Sequence, residues 1–150
     1  MAISEYNLAN AYGRRLRGDP SASAERAIRL YERALRVRTR ERSPREWRWT
    51  MHNLAVAWRT RPGGDPSANA DRAIALGEEV LASLDGSEEP GFRLDVLHNL
   101  AIAWRTRPHG VAAENVERAV ALFEDVLEGT PPGDRVGWAR ACTALANALQ

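Results

Sequence analysis

A block of six residues recurs along this chain at a step of 46 residues. Asn7-Leu8-Ala9-Asn10-Ala11-Tyr12 returns as Asn53-Leu54-Ala55-Val56-Ala57-Trp58, and again as Asn99-Leu100-Ala101-Ile102-Ala103-Trp104. A second block keeps the same offset. Asp19-Pro20-Ser21-Ala22 matches Asp65-Pro66-Ser67-Ala68, and Glu25-Arg26-Ala27-Ile28 matches Asp71-Arg72-Ala73-Ile74 and Glu117-Arg118-Ala119-Val120. A partial fourth copy closes the chain at Ala144-Leu145-Ala146-Asn147-Ala148-Leu149. Self-similarity at such a period is the signature of a repeat architecture, in which one supersecondary unit is stacked on the next.

Each copy reads as two helices. Leu97, Leu100, Ala101 and Trp104 fall on one helical face, as do Val116, Ala119, Val120, Phe123, Val126 and Leu127, and no segment alternates with the period of a strand. Breakers separate the two, at Arg61-Pro62-Gly63-Gly64 and Arg107-Pro108-His109-Gly110. The residue before proline is pushed out of the helical region, so the first helix should stop near Arg61 and Arg107. Asp19 and Asp65 are placed to cap the following helix, with Pro20 and Pro66 in its first turn. The expected helices are 2–17, 20–38, 45–61, 66–84, 91–107, 113–128 and 134–149, an all-α array of three and a half pairs. The array is expected to form one domain, with repeats at 1–44, 45–90 and 91–133 and a partial one at 134–150, cut from a longer array. A helix pair buries only one side of its apolar stripe and leaves the other to its neighbour, which predicts a solenoid.

The residues at these positions resemble the tetratricopeptide repeat. Met51, Leu54, Ala55 and Trp58 fit the pattern of its first helix; Ala27, Tyr31 and Ala34, and Ala119, Phe123 and Val126, fit that of its second. The family repeat is 34 residues and this one is 46, the surplus of twelve dividing evenly between the two turns, where added length is tolerated. The copies look most like those of kinesin light chains and of bacterial tetratricopeptide arrays, which often accompany a caspase-like protease or a signalling ATPase. The resemblance implies a right-handed α-α superhelix acting as a protein- or peptide-binding scaffold, with a regulatory segment of a larger enzyme or a self-assembling solenoid as alternatives. One departure is Gly77, which stands where Tyr31 and Phe123 stand in the other copies.

In that family the first helix of each pair lines a concave groove. Carried onto this chain, groove positions include Tyr6, Asn7, Asn10 and Arg14; Trp49, His52, Asn53, Val56, Arg59 and Thr60; Asp95, His98, Asn99, Ile102, Arg105 and Thr106; and Arg140, Thr143 and Asn147. Asn7, Asn53 and Asn99 supply one amide per repeat, and an amide both donates and accepts, which suits the backbone of an extended peptide. The same ladder would also serve to tie neighbouring helices. Arg59 and Arg105 offer guanidinium forks for an acidic or C-terminal carboxylate, and equally sit where cations favour a helix C-terminus. His52 and His98 are equivalent positions with no third ligand nearby, so no metal and no cofactor is expected. Trp49, Trp58 and Trp104 read as core, Trp47 and Trp138 as partly exposed.

Charge and composition narrow the functional classes. All 21 basic residues are arginine; residues 1–50 hold twelve of them against six acids, a net +6, while residues 51–100 carry −4 and residues 101–150 carry −1. The basic first third reads as a solvated face rather than a nucleic-acid site. No apolar run approaches the ~20 residues of a membrane span, and the N-terminus lacks the regions of a signal peptide. The single cysteine, Cys142, excludes an internal disulfide and fits a reducing, cytoplasmic setting. Cys142 has no base at a recognisable spacing, and no phosphate loop is present, so catalysis is not expected. Val136, Leu145 and Leu149 on the last helix would stay partly uncovered and promote self-association.

Overall fold

The computed structural model describes residues 2–13 and 19–149, and the described residues contain α-helices and no strand. In chain order they are α1 (Ala2–Gly13), α2 (Pro20–Leu35), α3 (Pro44–Arg59), α4 (Pro66–Ala82), α5 (Phe92–Arg105), α6 (Ala112–Gly129) and α7 (Arg135–Ala148). Each lies within a few residues of its expected span. Residues 14–17 of the expected first helix, and the candidate Arg14, lie outside the described residues. The chain divides into two compact units, Met1–Ser83 with α1 to α4 and Leu84–Gln150 with α5 to α7.

Helix starts are set by the expected chemistry. Asp19 accepts a hydrogen bond from the Ser21 backbone N–H at 2.9 Å, and Asp65 from that of Ser67 at 3.0 Å, with proline following each cap. Such a cap satisfies one of the donors that a helix N-terminus leaves open. Asp134 does the same for α7 through the Gly137 N–H at 2.8 Å. The third copy of the loop has Val111 at the cap position and no side-chain bond there.

Consecutive helices pack as antiparallel pairs. In the first unit Glu5 near the start of α1 pairs with Arg33 near the end of α2 at 2.7 Å, while Tyr12 at the other end of α1 accepts from Arg26 at 3.1 Å. In α3 and α4, Arg48 donates to the Ser83 carbonyl at 2.9 Å, and Arg61 donates to Asn69 at the opposite end at 3.1 Å. The α2–α3 contact is fixed by buried Arg38, which donates to Thr50 at 3.0 Å and lies over the Tyr6 ring. The core of this unit comprises Ala27, Ile28, Tyr31, Trp47, Met51, Leu54, Ala73, Ile74 and Val80 among others. Gly77 is buried within α4, and Trp47 is buried too, not partly exposed as its sequence position implied.

In the second unit α5 packs on α6 and α6 on α7. Ala101, Ala119, Phe123 and Ala148 form one buried cluster, with Ile102, Trp104, Val120, Leu122, Ala144 and Leu145 packed against it. Gly129 brings its helix close to Leu94: a Cβ there would lie 2.7 Å from a Leu94 methyl, so the leucine would have to shift.

Candidate functional site

The six-residue turns after α3 and α5 use one device twice. Asn69 donates to the Gly63 carbonyl at 2.8 Å and accepts from Arg61; Asn115 donates to the His109 carbonyl at 2.8 Å and accepts from Arg107 at 3.5 Å. Arg61 stacks on Trp58 at 5.1 Å and Arg107 on Trp104 at 5.3 Å. Arg61 also reaches Glu25 through its Nε at 2.6 Å and through an ion pair. Gly64 and Gly110 have φ of 80° and 84°, a left-handed conformation that favours glycine. Arg61 and Arg107 therefore lie beyond the helix ends and brace the turn. Asn69 and Asn115 were missed as functional in the sequence, although the arginine-to-asparagine spacing of eight residues recurs at the 46-residue step.

The repeated asparagines divide by environment. Asn53 donates through Nδ2 to Tyr6 Oη at 2.9 Å and to Asn10 Oδ1 at 3.2 Å, and Asn10 also accepts from Tyr31 at 2.5 Å. This network joins α1, α2 and α3, so Asn10 and Asn53 perform the helix-tying role and both amide protons of Asn53 are consumed. Asn99 turns onto its own helix and donates to the Asp95 carbonyl at 2.9 Å. Asn7 is exposed. His52 is buried, edge-on to Trp49, and is thus removed from any open groove. Val56 and Arg59 are half-buried, and desolvation pulls the Arg59 guanidinium below its ordinary pKa. An arginine stays charged under such a shift, so burial here costs hydration without removing the cation.

Six other candidates converge. His98, Ile102 and Arg105 from α5 face Arg140, Thr143 and Asn147 from α7 across a cleft of about 590 Å³. Phe123 of α6 forms the floor, its ring edge-on to His98 at 5.7 Å. Val136, Ala139 and Ala144 add apolar wall, and Arg135 adds a third guanidinium. The lining thus contains three arginines and no carboxylate. The spacing of the first-type helices made the α5 and α7 positions legible. Phe123 was read only as core, because an aromatic can be buried by its faces and still present an edge to a cleft.

Among the described residues no group of three His, Cys, Asp or Glu stands close enough to hold a metal ion. No described helix is long and apolar enough to cross a membrane. Cys142 is half-buried. No family model matches the chain, and no curated protein matches it significantly.

Proposed function

We propose that this protein is a binding module, of the tetratricopeptide kind its repeats resemble, that takes an acidic peptide segment into the cleft between α5 and α7. The observation that carries this reading is the cleft lining: an apolar floor at Phe123, Ile102 and Ala144 ringed by Arg105, Arg135 and Arg140, with the nearest acids, Asp95 and Asp134, lining the adjoining cavity rather than the cleft itself. Its volume lies in the range of small-ligand and side-chain pockets. Guanidinium groups hold carboxylates with paired hydrogen bonds, and apolar side chains of the same peptide would fill the floor. The reading is one of holding rather than catalysis, in a cytoplasmic setting.

Fluorescence anisotropy with short labelled peptides tests it. Peptides combining Asp or Glu with Leu or Phe should bind, and their Lys counterparts should not. Replacing exposed Arg105 and Arg140 together by alanine should weaken binding about fivefold to a hundredfold, at roughly 0.5–1.5 kcal/mol per lost interaction. Equal affinity for acidic and basic peptides would overturn the proposal.

A further inference from the structure

The α5–α7 cleft owes its opening to two positions of the repeat. In the first unit Tyr6, Asn10, Tyr31 and Asn53 stand where His98, Ile102, Phe123 and Ala144 stand in the second. The ring pair is kept: Tyr6 lies edge-on to Tyr31 at 6.0 Å, and His98 to Phe123 at 5.7 Å. In the first unit the Asn53 amide crosses from α3 to Tyr6 and Asn10 of α1 and closes the gap. Ile102 and Ala144 carry no hydrogen-bonding side chain, so no such bridge joins α7 to α5. Both walls of the cleft are helices of this chain.

Charge is unequal along it. α5 and α7 each run antiparallel to α6 and so point the same way. Arg105 and Asn147 line the cleft toward their C-terminal ends. Toward the N-terminal ends a smaller pocket of about 150 Å³ adjoins the cleft and shares His98 and Arg140 with it. Asp95 of α5 and Asp134 ahead of α7 line this inner pocket, together with buried Thr130 and Ala141. Asp95 is exposed, and among the described residues its carboxylate has no hydrogen bond or ion pair. The same is true of the Arg140 guanidinium, so neither neutralises the other. Asp134 caps α7 with its Oδ1 at the Gly137 N–H, which leaves Oδ2 as an acceptor. The Thr130 hydroxyl donates to the Val126 carbonyl at 2.6 Å and can still accept. Arg135, the third arginine, lines the cleft and not the inner pocket.

We propose that the segment held by the cleft is dipolar: a lysine ammonium enters the inner pocket between Asp95 and Asp134, an apolar side chain covers Ile102 and Phe123, and an Asp or Glu reaches Arg105. The inference rests on the reading of the cleft given above and adds to it the cation and its place. An ammonium is a compact charge with three donors, matched here by two carboxylates and a hydroxyl. A cavity of about 150 Å³ takes up a benzene-sized group, so the end of a lysine side chain fits. Asp95 and Arg105 are ten residues apart on α5, about 15 Å along the axis. An extended peptide advances ~3.3 Å per residue, which sets the lysine and the acid about four residues apart.

Two labelled peptides test the assignment by fluorescence anisotropy: an acidic, leucine-containing peptide with a lysine about four residues from its acid, and the same peptide with glutamine in place of the lysine. The lysine peptide should bind the wild-type chain about threefold to tenfold more tightly. Asp95→Asn should keep the wild-type melting curve, since that carboxylate is exposed and holds nothing else. It should remove most of the preference, with affinity for the glutamine peptide unchanged or higher. Asp134→Ser, which retains a capping residue, should reduce the preference in the same way. Arg105→Ala should weaken both peptides alike. Equal binding of the two peptides by the wild-type chain overturns the dipolar ligand and leaves the acidic-peptide reading standing. So does a preference that survives both aspartate substitutions. If neither peptide binds, the reading of the cleft fails and this inference fails with it.

Discussion

Asn53 and Asn99 occupy the same place in successive repeats, yet they should respond differently to removal. Asn53→Ala deletes two bonds that hold α3 to α1, at Tyr6 and Asn10. It should cost about 1–2 kcal/mol of stability, at the usual net worth of such bonds. Asn99→Ala deletes a bond to its own helix backbone at a half-exposed position, a bond that ties no second helix, and should cost less than Asn53→Ala. Urea melts of the two variants check this, and equal losses would contradict the division. A related outcome is expected in the turns. Asn115→Ala should destabilise the second unit by about 1–3 kcal/mol, chiefly because it removes the amide that donates to the His109 carbonyl. Valine at that position should do no better, since volume is not what the turn needs. The sequence shows that an amide recurs at each of these sites, but not whether it faces a neighbour. That depends on what the previous repeat supplies: Tyr6 and Asn10 stand within reach of Asn53, and their phenol and amide chemistry cannot be read from the position of Asn53 alone.

Among the elements, the three loops that lead into second-type helices form a natural comparison. Two have the Asp-Pro start and its cap; the third has Val111-Ala112, with Val111 exposed and no side-chain bond at the helix start. Val111→Asp should therefore stabilise the chain by about 0.5–2 kcal/mol, through one cap bond and a favourable charge at the N-terminus of α6. Thermal unfolding checks the sign; an unchanged or lowered midpoint would mean that Asn115 already organises the helix start. The helices were legible because proline, aspartate and apolar spacing agree at each boundary, and α2, α4 and α6 begin within a residue of expectation. The ends were less so. The first-type helices stop at Arg59 and Arg105, before the expected Arg61 and Arg107, because Thr60 and Thr106 take C-cap geometry and those arginines turn to the Asn braces. Burial also varies along the repeat. Leu54 and Leu100 are buried, whereas Leu8 in the first copy is 48% exposed.

For the whole molecule, the uneven charge seen in the sequence resolves into local uses. Arginines of the first third are partly structural: Arg38 and Arg48 are buried and hydrogen-bonded, and Arg26 and Arg33 pair across α1 and α2. This weakens any case for a nucleic-acid surface built from that region's net +6. The arginines of the α5–α7 cleft differ in being exposed and in sharing a lining that holds no carboxylate. Acidic-peptide affinity should accordingly fall as salt is raised from about 50 mM to 500 mM, since exposed charges beyond a Debye length are screened, while the apolar floor leaves a residual salt-independent component. The most direct test of the central claim is an amide chemical-shift titration of the 150-residue chain with an acidic, leucine-containing peptide. The account predicts that saturable shifts concentrate at His98, Ile102, Thr143, Ala144 and Asn147. Shifts confined to residues outside the second unit, or none at millimolar peptide, would contradict it.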